Sequence, residues 1–104
     1  MEATCIRIYL SELDMYENTP LHRAILNYLK DADIAGASVI REYEGFGQHR
    51  QVHTPAVLRL SENMPLIIEV VDTKECIDDV LAKLQEMAKG HFMTSHTVTI
   101  IQGK

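Results

Sequence analysis

An α+β sandwich, in which two helices pack on one face of a four-stranded antiparallel sheet in the order βαββαβ, is the fold class this sequence predicts. Three observations lead to it. Two runs, at residues 5–10 and 66–71, are rich in branched apolar side chains and suit half-buried strands. Two further stretches, beginning at Leu21 and Ile77, repeat their apolar residues at helical spacing. The chain has 104 residues, which fits one domain spanning 1–104 with a real but small core.

The elements follow in order. In Cys5–Leu10, Ile6, Ile8 and Leu10 share one face while Cys5, Arg7 and Tyr9 share the other, so a strand is expected. Residues 11–18 read as a polar connector. Thr19 as cap and Pro20 at the first helical position start a helix whose apolar stripe is Leu21, Ala24, Ile25, Tyr28, Leu29 and Ala32, with Gly36 marking its exit. Residues 37–43 form a second strand that leads into a loop. Ala56–Leu60 reads as a short returning strand, broken by residues 61–65. Leu66–Val71 is the most strand-like segment. Asp72 and Glu75 have the spacing of a capping box for the second helix, whose stripe is Ile77, Val80, Leu81, Leu84 and Ala88 and which Gly90 ends. Leu81, Leu84 and Met87 match the face that must be buried, so core packing is expected of them rather than partner docking. Thr97–Ile101 reads as the last strand. Right-handed crossovers and a shared apolar face make the ferredoxin-like sandwich the simplest assembly of these parts.

Composition narrows the function. The formal charge of −5 argues against a general nucleic-acid binder, which needs concentrated Lys and Arg. Cys5 and Cys76 lie far apart without CxxC spacing and are expected as separate thiols rather than a disulfide. The N-terminal residues show no basic segment followed by a long apolar run, and no apolar stretch is long enough to span a bilayer. The chain reads as cytoplasmic, without direct membrane insertion.

Two helices cover one side of the sheet. The other side should carry Arg7 and Tyr9 from the first strand, with Glu69 beside Arg7 and with Ile67 and Val71 on the same face. A solvated sheet face is normally more uniformly polar, so this mixture is expected to be an interface between copies of the chain.

The segment from Gly45 to Thr54 is the main candidate for recognition. Gly45 and Gly47 permit turns whose N–H groups can cradle an anion, and Arg50 offers a fork of charged donors with Arg59 across the loop. A plain hairpin tip explains the same glycines, and the two readings stay open. His49 and His53 are spaced to face together on a helix and could meet His91 or His96 at a metal, but no cysteine or carboxylate sits at ligand spacing beside the pair. No metal site or cofactor is assigned. Asp14, Glu17, Glu42, Glu44 and Glu62 are expected to be solvated. Adjacent Ser95 and His96 point to opposite faces of a strand, and no nucleophile elbow or phosphate-loop signature occurs, so no catalytic residue is named.

One ordered set of residues goes further. Ile8-Tyr9-Leu10, Tyr16, Pro20-Leu21, Ala35-Gly36-Ala37, Gly45-Phe46-Gly47, His53-Thr54, Leu60-Ser61, Pro65 and Ile68-Glu69-Val70-Val71-Asp72 run through nearly the whole chain. In these the chain resembles the DUF190 family of small bacterial and archaeal proteins, within the wider PII-like group. The resemblance implies a ferredoxin-like fold and a homotrimer whose uncovered sheet faces meet around a central axis. It also implies a loop, here residues 44–63, that recognises ligands or target proteins, a membrane transporter being one such target. An adenine nucleotide would sit in a cleft between subunits, near Gly45, Gly47, His49, Arg50, His53 and the turn at Lys89-Gly90. True PII proteins have a glycine-rich phosphate turn before the last strand, where this chain has Lys89-Gly90-His91-Phe92-Met93-Thr94. The uridylylation pattern is also missing after Tyr43. The implied function is therefore that of a non-catalytic oligomeric regulator binding a small anion. A small histidine- or metal-dependent enzyme and a purely structural oligomer are the alternatives.

Overall fold

The computed structural model describes residues 1–42 and 65–103. In chain order they form β1 (Glu2–Ser11), β2 (Met15–Tyr16), β3 (Thr19–Pro20), α1 (Leu21–Asp31), β4 (Gly36–Arg41), β5 (Pro65–Asp72), α2 (Lys74–Met87) and β6 (Phe92–Thr99). Strands β4, β5, β1 and β6 make one sheet in that order, each neighbouring pair antiparallel. The helical crossovers β1–α1–β4 and β5–α2–β6 each skip one strand, so the two units interleave as in a ferredoxin-like sandwich. The expected strand Ala56–Leu60, with Tyr43, Gly45, Gly47, His49, Arg50, His53 and Arg59, lies outside the described residues.

The alternation in β1 and β5 decides where the core sits. Ile6, Ile8 and Leu10 pack with Leu66, Ile68 and Val70 against Leu21, Ile25 and Leu29 of α1 and Ile77, Val80 and Leu84 of α2. Both helices therefore cover the same side of the sheet. Both cysteines are free thiols, Cys5 buried and Cys76 half-buried.

Several local expectations are corrected. The connector after β1 contains a small hairpin, in which Tyr16 pairs with Thr19 across Glu17 and Asn18 at φ 47° and 69°. Two consecutive positive φ values suit a tight two-residue hairpin turn. Thr19 and Pro20 are used in this hairpin, so α1 begins one residue late and has no side-chain cap. The Leu21 N–H instead donates to the Asp14 carbonyl at 2.7 Å. The exit of α1 is made not by Gly36 but by Asp33 at φ 60°, with Asp33 N–H donating to Lys30 O and Ile34 N–H to Leu29 O. That is a Schellman closure, and Ile34 packs against the core behind it. Gly36 is already the first residue of β4.

The last strand also begins earlier than the branched run 97–101 suggests. It pairs from Phe92↔Tyr9 to Thr99↔Glu2, while Ile100 and Ile101 lie beyond it. The polar Thr94, Ser95, His96 and Thr97 are tolerated because this edge strand is poorly covered on both faces, with Ser95, His96 and Thr97 exposed.

The expected Asp72–Glu75 capping box is replaced by a single side-chain cap one residue later. Thr73 is the cap of α2, its Oγ1 accepting from Cys76 N–H at 3.3 Å. Asp72, fully buried at 0% exposure, accepts from Ala35 N–H at 2.9 Å and from Thr73 N–H at 2.7 Å. One carboxyl thus ties the approach to β4 to the end of β5 and the start of α2. Asp72→Ala should lower the unfolding free energy by about 3 kcal/mol, since it strands buried donors. Thr73→Ala should cost only about 1 kcal/mol. Urea unfolding checks both, as lower midpoints with unchanged slopes.

Candidate functional site

Paired residues of an antiparallel sheet share a face, so the register places the side chains opposite the helices in rows. One row reads Ile40–Ile67–Tyr9–Phe92 across β4, β5, β1 and β6. The next reads Ser38–Glu69–Arg7–Thr94, and the third Gly36–Val71–Cys5–His96. All five residues expected on the open face, Arg7, Tyr9, Ile67, Glu69 and Val71, lie there. Sequence reasoning missed Ile40 and Phe92, which extend the apolar row to both sheet edges at 41% and 54% exposure. Their signal was weak, because it depended on the register of β4 and on the early start of β6.

The middle row is charged. Arg7 Nε donates to Glu69 Oε2 at 3.0 Å, with side chains 43% and 32% exposed. This hydrogen bond holds the Arg7 guanidinium above its usual range. In a single chain so exposed a pair contributes at most about 1 kcal/mol. The Tyr9 and Phe92 rings lie 5.5 Å apart and tilted by 53°, a favourable aromatic contact. Burial pushes the Cys5 thiol above the usual thiol range, with the Glu69 carboxylate adding to the shift and Arg7 opposing it.

The apolar row borders one end of the sheet, where β4 and β1 finish and β5 and β6 begin. The described chain leaves the sheet there after Glu42, whose N–H donates to Pro65 O at 3.0 Å, and re-enters at Pro65. The turn between α2 and β6 lies at the same end. Lys89 and Gly90 are exposed in it, Gly90 at φ 86°, and His91 N–H closes it on Ala88 O at 2.9 Å. His49 and His53 lie outside the described residues, among which His91 joins a carboxylate and a carbonyl rather than His96. Its Nε2 lies 3.0 Å from Asp14 Oδ2 and its Nδ1 3.3 Å from Ala88 O. The same Asp14 oxygen accepts from Ser11 N–H at 2.7 Å, so Asp14 is engaged rather than solvated. Arg41 Nη1 approaches Glu12 Oε2 at 3.8 Å, and Lys83 Nζ donates to Tyr16 OH at 3.3 Å, which raises the lysine above its usual range.

Of the residues expected to bind an anion, Lys89 and Gly90 are placed in this turn. Gly45, Gly47, His49, Arg50 and His53 lie outside the described residues. Among the described residues no three His, Cys, Asp or Glu side chains converge to hold a metal. Ser95 and His96 fall on opposite faces of β6, since their β1 partners are Ile6 and Cys5. No helix of the described residues is long and apolar enough to cross a membrane. The environment of the two thiols gives a direct check. Ellman's reagent at mildly alkaline pH should modify half-buried Cys76 before Cys5, which burial keeps protonated and inaccessible.

Comparison with known proteins agrees with this architecture. Residues 3–100 match the family DUF190, described as "Uncharacterized ACR". A UPF0166 protein of Methanocaldococcus jannaschii is 40% identical over 91 residues, covering 88% of this chain and 83% of the relative. One from Aquifex aeolicus is 30% identical over 100 residues, covering 96% and 98%. Among solved structures, CPII from Thiomonas intermedia K12, described as a nitrogen regulatory PII-like protein, is similar with a TM-score of 0.68. That comparison has 15% identity over 100% of this chain and 91% of CPII, which is bound to ADP, AMP and bicarbonate. CutA1 of Ehrlichia chaffeensis, described as a divalent ion tolerance protein, gives 0.57 at 14% identity over 98% and 84% of the two chains. At these identities the likeness to the solved structures is one of fold.

Proposed function

The chain belongs to the DUF190 family, and from that premise we propose that it is a non-catalytic regulatory adaptor, assembled from copies that meet through the open sheet face. Its ligand is a small anion of the adenine-nucleotide class, bound near the Lys89–Gly90 turn at the rim of that face. Residues 44–63 are presented from the same end of the sheet to a partner protein, such as a membrane transporter. The observation that carries the reading is the open face itself. It combines an apolar row reaching both edges with a paired Arg7 and Glu69, and a positive-φ glycine turn carrying an exposed lysine stands at its rim.

Each part has a physical reason. Copies that meet on this face bury the apolar row and enlarge the small core that one chain can build. The resemblance to the PII-like group supports a trimer and a cytoplasmic setting. CPII, with the same fold, binds ADP and AMP, which makes adenine nucleotides the first ligands to try. An exposed ammonium beside a glycine turn suits phosphate oxygens.

Assembly and ligand binding are separable by experiment. Light scattering coupled to gel filtration should give the mass of a trimer, and Ile67→Lys should reduce it to that of a single chain. Calorimetry with ADP should show binding that Lys89→Ala weakens by about tenfold while the mass stays unchanged. A trimer without any response to ADP, ATP or AMP points to a structural oligomer, and a monodisperse single chain rejects the interface.

A further inference from the structure

We infer that His91 and Asp14 position the Lys89–Gly90 turn through a proton-dependent strut, complete only while the imidazole carries both of its protons. This deepens the function proposed above and rests on it for the ligand, though not for the strut itself.

The geometry states the requirement. Both ring nitrogens face oxygen acceptors, Nε2 facing Asp14 Oδ2 at 3.0 Å and Nδ1 facing Ala88 O at 3.3 Å. A carbonyl has no proton to give, and Asp14 Oδ2 already acts as an acceptor for Ser11 N–H. A neutral imidazole has one N–H and satisfies one of the two, leaving a lone pair pointed at the other oxygen. The doubly protonated ring satisfies both. The contact is therefore complete at low pH and loses one hydrogen bond as pH rises.

The position of the strut gives it leverage. Asp14 also receives Leu21 N–H on its backbone carbonyl, so it joins the end of β1, the start of α1 and the turn before β6. Ala88 caps α2, and Lys89 and Gly90 are the two residues between the ring's two anchor points on the chain, Ala88 and His91. The groups that contact the ring nitrogens among the described residues are the Asp14 carboxylate and the Ala88 carbonyl. Lys89 is the cation nearest in the chain and is exposed, while Glu12 on the Asp14 side is approached by Arg41. Losing one anchor frees the ring side of the turn, and with it the orientation of the Gly90 N–H and the Lys89 side chain.

The test uses the isotope-labelled full chain, titrated from about pH 5 to about pH 8, the range in which histidines change charge. The Gly90 amide signal should follow the His91 ring signals through one transition. In Asp14→Asn the ring should still titrate while Gly90 loses most of its response. In His91→Gln, which keeps a donor but cannot titrate, Gly90 should hold still. ADP should bind the wild-type chain about tenfold more tightly at the acid end, and that difference should shrink in His91→Gln, where only the nucleotide's own titration remains. A Gly90 signal that ignores His91, or that moves equally in Asp14→Asn, overturns the strut. A Gly90 signal that follows His91 in a chain that binds no ADP at either pH upholds the strut and removes the nucleotide reading instead.

Discussion

Both helices lie on one side of a four-stranded sheet, and that asymmetry governs the rest of the molecule. The βαββαβ order leaves the interleaved helices no other place, because each crossover must return over the same face to reach its parallel strand. β1 and β5, at the sheet centre, obey by burying every second side chain, Ile6, Ile8 and Leu10 against Leu66, Ile68 and Val70. The remaining side chains then appear opposite the helices whatever their chemistry. There the sequence places neither a polar surface nor a second core. It places an apolar row, a charged row, and a row containing a buried thiol beside a histidine. In a single chain the Arg7–Glu69 pair is only half-buried and contributes little. Covered by another copy, an Arg–Glu pair loses water and acts chiefly through geometry, since a misaligned neighbour would leave one charge unpaired at a high cost. If copies meet on this face as proposed, a charged row beside the apolar one would favour one alignment of them over its shifted alternatives.

How much of this was legible in the sequence follows from how local each cause is. The strand faces of β1 and β5 depend on alternation within one segment, and Arg7, Tyr9, Ile67, Glu69 and Val71 were all placed on the correct face. The helical stripes were equally plain. Boundaries were harder, because they depend on competition between neighbouring elements. Thr19-Pro20 has the residues of a helix start, yet the hairpin turn at Glu17-Asn18 takes that pair as a strand. Asp72 has the residue type of a cap, yet its carboxyl also reaches Ala35, 37 residues away in the chain, and Thr73 performs the capping. Asp33 at positive φ replaces a glycine that stands three positions later. The edge strand β6 has mostly polar side chains, and only its register with β1 reveals where it starts. The His91–Asp14 contact joins residues 77 apart in the chain, and no local pattern announces such a pair.

The open face and the rim turn are physically continuous, which would link the proposed assembly to the proposed recognition. Phe92 ends the apolar row and directly follows His91, whose ring and N–H anchor the turn. A partner that covers Phe92 removes roughly half a phenylalanine from water, worth about 1 kcal/mol. It also fixes the start of β6 against Tyr9. That restraint would act on the turn from one side, while Asp14 acts through His91 from the other and Ala88 caps α2 behind it. A loop anchored this way has few conformations to lose when a ligand orders it, so less of the binding free energy is spent on ordering. The same anchors make it responsive, because a change at any one of them alters the balance among those few conformations. In this arrangement the core supplies rigidity, the open face offers an uncovered apolar row, and the turn at Lys89–Gly90 lies where the two meet.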